Sequence, residues 1–183
     1  MLLDTPAAEL GRAMPDFTLR DADGNAVTMS ERLGDKGLVV AFVCNHCPYV
    51  VAVADRLARD ADDLAAEGIG TIAVMSNDWR DYPADAPERM GPFAASHGWR
   101  FPYVIDADQS VGKAWGAVCT PDFFGLNARG ELHYRGRLDD ARMNDAPGRR
   151  RELVEAMRMI AETGRGPDAQ SPSMGCSIKW RSA

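Results

Sequence analysis

Two unbroken apolar runs, Leu38-Val39-Val40-Ala41-Phe42-Val43 and Thr71-Ile72-Ala73-Val74-Met75, bracket a single helical pattern. Runs without alternation suit strands buried on both faces, as in a parallel sheet covered by helices. Between them Val50, Ala54, Leu57, Ala61 and Leu64 recur at helical spacing, while Asp55, Arg59, Asp62 and Asp63 take the wet side. Gly68 stands where a C-cap is needed. A strand, a helix and a strand in this order form a crossover, and a crossover helix requires the two strands to be parallel.

The junction between the first strand and the helix reads Cys44-Asn45-His46-Cys47-Pro48. One turn of chain brings two thiols at this spacing within disulfide reach. The first sulfur, Cys44, is expected at the helix N-terminus, where unpaired N–H groups and the helix dipole favour a thiolate. A thiolate is the nucleophile of thiol–disulfide exchange, so the segment is a candidate redox centre.

Composition narrows the alternatives. A chain of 183 residues with 45% hydrophobic content suits one domain with a sizeable core. A net charge of −6 supplies no basic stripe for nucleic acid. The run Arg149-Arg150-Arg151 lies beside Asp145 and Glu152 and reads as a solvated helix start. Four cysteines at this length do not make a disulfide scaffold. Residues 1–14 hold Asp4, Glu9 and Arg12, unlike a secretory leader, and no apolar run approaches a membrane span of roughly 20 residues. A cytoplasmic location is the expectation, with no membrane partner. There a CxxC pair is catalytic or metal-binding more often than a permanent staple.

The remaining elements follow from turn chemistry and periodicity. Residues 17–20 and 26–28 flank Asp21-Ala22-Asp23-Gly24-Asn25 and predict an N-terminal hairpin. Ser30 is expected to cap a short helical turn ending at Gly34. Residues 77–91, with Trp79 and Tyr82 among acids and arginines, read as an ordered loop leading to a helix over 88–97. A short strand is expected at 103–105 and a short helix at 110–115. A second hairpin spans 122–126 and 131–135, and a last helix spans 150–163 with Leu153, Met157 and Ile160 on one face. The chain reads as a single domain over 1–183, with a core at about 13–163 and an extended tail over 165–183. His97 and His133 show no motif spacing and are expected at the surface.

A β–α–β unit with CxxC at its first junction, a following hairpin and a last helix resemble a thioredoxin-like α/β fold. Such a fold has a central mixed sheet flanked by helices. The leading hairpin and the insert after the second core strand resemble the redoxin branch. This branch holds the alkyl hydroperoxide reductase/thiol-specific antioxidant proteins and the small thiol–disulfide oxidoreductases. Pro15-Asp16-Phe17-Thr18-Leu19 is similar to its opening strand, and Val118-Cys119-Thr120-Pro121-Asp122 sits where it carries a cis-proline. Phe42 to Val50 and the closing Gly175-Cys176-Ser177-Ile178-Lys179-Trp180 are similar to a sparsely described CNHCP subgroup. The resemblance implies a thiol–disulfide oxidoreductase with Cys44 as nucleophile and Cys47 as resolving thiol. His46 would favour the Cys44 thiolate, as in the similar Cys-Pro-His-Cys centres of bacterial disulfide oxidases. The backbone of Cys119 and Thr120, held by a cis Pro121, would pair with a bound peptide or thiol. Cys119 would bring a third thiol near Cys44. Cys176 is a further candidate resolving thiol, and Trp79 a candidate groove wall. Thioredoxins carry a buried acid about six residues before the first cysteine; Leu38 stands there. Asp78, Asp106, Arg135 and Asp139 are second-rank candidates for proton transfer.

The substrates implied are protein or small-molecule thiols and disulfides. No flavin or nicotinamide motif is present, and no resident cofactor is expected. A second reading is a thiol-dependent peroxidase with Cys47 as the peroxidatic cysteine. Here the family pattern Pro-x-x-x-Thr-x-x-Cys is replaced by Val40 and Cys44 at the Pro and Thr positions. A third is Cu(I) or Zn(II) binding by Cys44, Cys47 and Cys119 in a redoxin fold.

Overall fold

The computed structural model describes residues 1–182. Its strands are β1 (Leu2–Asp4), β2 (Thr18–Asp21), β3 (Ala26–Thr28), β4 (Leu38–Phe42), β5 (Gly70–Met75), β6 (Tyr103–Ile105), β7 (Cys119–Thr120), β8 (Asp122–Leu126), β9 (Leu132–Gly136) and β10 (Met174–Ser177). Its helices are α1 (Met29–Arg32), α2 (Pro48–Ala66), α3 (Pro87–Ser96), α4 (Ser110–Trp115) and α5 (Glu152–Thr163), with a 3₁₀ turn at Pro83–Asp85. The main sheet runs β3-β2-β6-β5-β4-β8-β9, and a second sheet runs β1-β10-β7.

β4 is parallel to β5 on one side and antiparallel to β8 on the other, as the crossover and the hairpin require. Every residue of β4 is buried. Alternation along the strand divides the core: Leu38, Val40 and Phe42 pack with Trp115 and Phe124, while Val39, Ala41 and Val43 pack with Leu57, Leu153 and Met157. Each buried Leu, Val or Phe side chain contributes about 1.5–3 kcal/mol, so β4 is firmly held from both faces. Its C-terminal end is therefore a rigid mount.

The β4–β8 register places Phe42 opposite Asp122. In an antiparallel pair the chain just after Phe42 then lies beside the chain just before Asp122. This brings Cys44 to Thr120 and Pro121, across 76 residues of sequence.

Some expectations need correction. The tail is not merely extended: residues 174–177 form β10, which pairs with β7 and with the N-terminal strand β1. Ser30 does not cap α1; the N-cap is Thr28, and Ser30 donates its hydroxyl to Asp16 Oδ2 instead. His133 is buried, not a surface residue. No helix among the described residues is long and apolar enough to cross a membrane.

Candidate active site

α2 begins at Pro48, with Cys47 as its N-cap. Proline suits the first helical position because its fixed φ is helical and its missing N–H would be unpaired there anyway. The helix start therefore belongs to the second sulfur, not to Cys44 as expected from the sequence. Both cysteines are buried and reduced. Cys44 Sγ lies 3.4 Å from the Thr120 hydroxyl oxygen, and Cys47 Sγ lies 3.2 Å from the Thr120 carbonyl oxygen. The Thr120–Pro121 peptide is cis.

Both sulfurs thus lie against one residue, and a charge on one disfavours a charge on the other. The surroundings decide which of them ionises. The Cys44 thiol is pushed up by the neighbouring Cys47, by burial and by the nearby Asp85 carboxylate, against a smaller pull from the Thr120 hydroxyl. The Cys47 thiol is pulled down by the neighbouring Cys44 thiol and, against burial, by Cys176. The Thr120 carbonyl accepts from the Cys47 thiol and opposes a charge there, but it is one dipole against two thiols. Cys47 is the first of the pair to ionise.

Around the pair stands a polar cage that the inserted segment supplies. Asp85, fully buried in the 3₁₀ turn, accepts hydrogen bonds at Oδ1 from the Asn45 N–H at 2.8 Å and the His46 N–H at 3.2 Å. At Oδ2 it meets His46 Nδ1 at 2.6 Å and accepts from Asn77 Nδ2 at 2.8 Å. An Nδ1–H donated to Asp85 leaves the imidazole Nε2 as a base. The Tyr82 ring stacks on His46 at 5.9 Å, nearly parallel. The Tyr103 hydroxyl donates to Asn45 Oδ1, and burial drives its pKa well up, so it keeps that proton. A buried acid, absent at Leu38, thus stands beside the pair on the insert instead of on β4.

One Redoxin family profile matches residues 9–149. The chain belongs to the Redoxin family. A putative peroxiredoxin of Mycobacterium tuberculosis is 28% identical over 130 residues, 71% of this chain and 78% of that protein. The thiol-disulfide oxidoreductase ResA of Halalkalibacterium halodurans is 27% identical over 129 residues, 70% of this chain and 69% of that protein. The crystal structure of an uncharacterized conserved protein from Geobacillus kaustophilus superposes with a TM-score of 0.93 at 39% identity, covering 100% of this chain and 98% of that one. The fold is thioredoxin-like, and the chemistry this Redoxin shares with its relatives is that of a thiol redox enzyme.

Within this Redoxin the other sequence candidates fall in different places. Cys119 and Thr120 are neighbours in β7 and point to opposite faces. Thr120 faces Cys44, so Cys119 is turned away from it, buried beside the Pro121 carbonyl at 3.8 Å. Burial pushes the Cys119 thiol up, and it is not the third thiol expected near Cys44. That place is taken by Cys176, which reaches Cys47 from β10. Trp79 lines a separate cavity of about 670 Å³ with Phe17, Pro87 and Val111, and it is Tyr82 that reaches the site. Asp78, Asp106, Arg135 and Asp139 are structural. Asp106 accepts from Ser76, Val111 and Gly112. Arg135 grips Asp122, Asp139 holds Arg56 and Arg149, and Asp78 faces Arg181 of the tail.

For a metal, the expected trio loses Cys119. Ligand atoms of Cys44, His46 and Asp85 do lie within 4.8 Å of one another. Both Asp85 oxygens, however, are already bonded to four nitrogens, and His46 Nδ1 is one of them. The arrangement fits a proton relay better than an ion.

Asp85 and Asn77 carry no motif that sequence reasoning could have flagged. The available signal was an excess of acids and aromatics in an insert directly after the second core strand.

Proposed function

We propose that the protein is a thiol–disulfide oxidoreductase that cycles between the Cys44/Cys47 dithiol and its disulfide, with Cys47 as the attacking sulfur. The observation that carries this is the position of Cys47 at the N-cap of α2, with its sulfur and that of Cys44 both against Thr120. This exchanges the two roles expected from the sequence. Cys47 thiolate attacks one sulfur of a disulfide, that S–S bond breaks, and the first thiolate leaves. Cys44 then attacks the Cys47 sulfur, closing the Cys44–Cys47 disulfide and releasing the second thiol. His46, held by Asp85, takes the Cys44 proton and passes it to the leaving thiolate. Two cysteine thiols lose two electrons and the substrate disulfide gains them.

A peroxide is a second oxidant for the same sulfur. Cys47 precedes Pro48 at a helix start and relatives are named peroxiredoxins, which supports this reading. Against it, the hydroxyl expected three residues before Cys47 is replaced by a thiol.

The assignment is tested with oxidised glutathione and mass spectrometry. In Cys44→Ser/Cys176→Ser a glutathione adduct is expected to accumulate on Cys47. In Cys47→Ser/Cys176→Ser the adduct on Cys44 should form at least about a hundredfold more slowly, since the thiolate is the reactive form. The reverse order would return the attacking role to Cys44.

A further inference from the structure

The sheet edge beside the cysteine pair is occupied by the chain's own C-terminus. β10 pairs antiparallel with β7, Cys176 opposite Thr120 and Ser177 opposite Cys119. Directly opposed residues of an antiparallel pair project to the same face. Thr120 presents its hydroxyl to Cys44, so Cys176 projects onto the face that carries the pair. There it packs against the cluster that includes Cys44 and Cys47. Gly175 lets the strand come this close, because a Cβ at that position would run into the Thr120 carbonyl oxygen and lie 3.1 Å from the Pro121 nitrogen.

The strand is also firmly held. β1 pairs with its far edge, Leu2 opposite Cys176. Beyond it the Lys179 N–H donates to Asn77 Oδ1, and the Lys179 carbonyl accepts from the Asp78 N–H and from Gln109 Nε2. Asn77 is the same residue that donates to Asp85, so the tail is tied to the cage around His46. An open edge next to a cysteine pair would accept an extended polypeptide as an added strand. Here residues 174–177 fill that edge and deliver a thiol in the place of the substrate's sulfur.

We propose that Cys176 is a third redox-active thiol that resolves Cys47 internally, and that the substrates are small molecules with an S–S or O–O bond, not extended polypeptides. The proposal rests on the reading that Cys47 attacks. With a small disulfide, Cys47 thiolate displaces one thiolate and carries the other half as a mixed disulfide. The Cys176 thiol attacks the Cys47 sulfur, the second thiolate leaves with the Cys176 proton, and Cys47–Cys176 forms. With a peroxide, Cys47 becomes a sulfenic acid as the alcohol or water leaves, and condensation with the Cys176 thiol releases water. In both cases two cysteines supply the two electrons. Attack of Cys44 on Cys47 then moves the disulfide to Cys44–Cys47 and frees Cys176, with no net redox change.

The test uses full-length Cys44→Ser, oxidised in parallel with hydroxyethyl disulfide and with hydrogen peroxide, then alkylated and digested. The expected product is a peptide pair linked through Cys47 and Cys176, and the arm that yields it identifies the bond type. Cys47 trapped as an adduct or sulfenic acid beside a fully alkylated Cys176 would overturn the resolving role and leave the attacking role intact. A Cys47 that stays reduced and alkylated would overturn both. For the substrate class, wild type is compared on hydroxyethyl disulfide and on insulin. Insulin is expected to react at least about tenfold more slowly, because its access is scaled by the fraction of molecules with the edge open. Equal rates would overturn the restriction to small molecules.

Discussion

Asp122 follows Pro121 at the start of β8, and its carboxylate is out of water altogether. Burial lifts its pKa to about 6, although Arg135 grips both oxygens, Nε to Oδ1 at 3.3 Å and Nη2 to Oδ2 at 2.7 Å. An unfolded chain loses this proton near 3.9. The folded protein thus keeps it at pH values where the unfolded chain does not. The associated stability is fully present below about pH 4 and is lost as the pH rises through about 6, by roughly 3 kcal/mol at most. Other carboxylates, such as Asp16 and Asp21, are shifted the opposite way by hydrogen bonds that outweigh their slight burial, so the quantity to follow is a difference. Urea denaturation of wild type and Asp122→Asn should show wild type losing about 1–3 kcal/mol relative to the variant between about pH 4 and pH 7. A difference independent of pH would mean that Asp122 is ionised throughout. Single residues were legible here only where a motif or a period announced them. Cys44, Cys47, Thr120 and Pro121 could be read from spacing and resemblance. Asp122, Asp85 and Asn77 act through contacts that no local pattern encodes. Which sulfur ionises first turned on Asp85 beside Cys44 and Cys176 beside Cys47, neighbours distant in sequence that periodicity cannot resolve.

Gly125 shows how an element depends on a residue it does not contain. In β8 its bare backbone faces α5, whose apolar side presents Met157 and Ile160. A Cβ there would lie 2.6 Å from Met157 Sδ and 2.9 Å from Tyr134 Cβ. Methionine can swing aside, whereas a Cβ fixed to the adjacent strand cannot. Gly125→Ala is therefore expected to cost about 1–3 kcal/mol, as overpacking does, read as a lower urea midpoint with an unchanged slope. A midpoint equal to wild type would mean that α5 rides up without penalty. Elements with a helical period, α2 and α5, or an unbroken run of buried residues, β4 and β5, were legible within a residue or two of their ends. β10 was not: Met174-Gly175-Cys176-Ser177 has no alternation and contains glycine, and its order comes from pairing with β1 and β7, 172 and 56 residues away in register. Strand propensity is largely the fit to such neighbours, so a strand built wholly from distant partners leaves little local trace.

Across the whole molecule, an ionic cluster ties α2 to the segment between β9 and α5. Arg56 Nε donates to Asp139 Oδ2 at 2.8 Å. Arg149 bridges Asp139 at 2.9 Å and Asp60 at 2.6 Å, and Arg151 also reaches Asp60. Asp60, Asp139 and Arg56 are almost completely buried. The run Arg149–Arg151 is thus no simple solvated helix start: two of its three members close contacts across roughly 90 residues, and composition alone could not reveal their partners. Removing one member leaves its counter-charges buried and unpaired, which typically costs about 3–5 kcal/mol. The Arg59–Asp145 pair, at 2.7 Å, is more than half exposed on both sides and serves as a contrast, since exposed pairs contribute no more than about 1 kcal/mol and weaken with salt. Asp60→Asn is expected to lower stability by about 3–5 kcal/mol, nearly the same in low and in high salt, while Asp145→Asn leaves it almost unchanged and is felt only in low salt. Both are read from urea denaturation, with the Cys47 alkylation rate as a check that the site is intact below the transition. An Asp60→Asn loss no larger than that of Asp145→Asn would mean that the cluster is incidental. The rigid mount of the cysteine pair would then rest on the apolar packing of β4 alone.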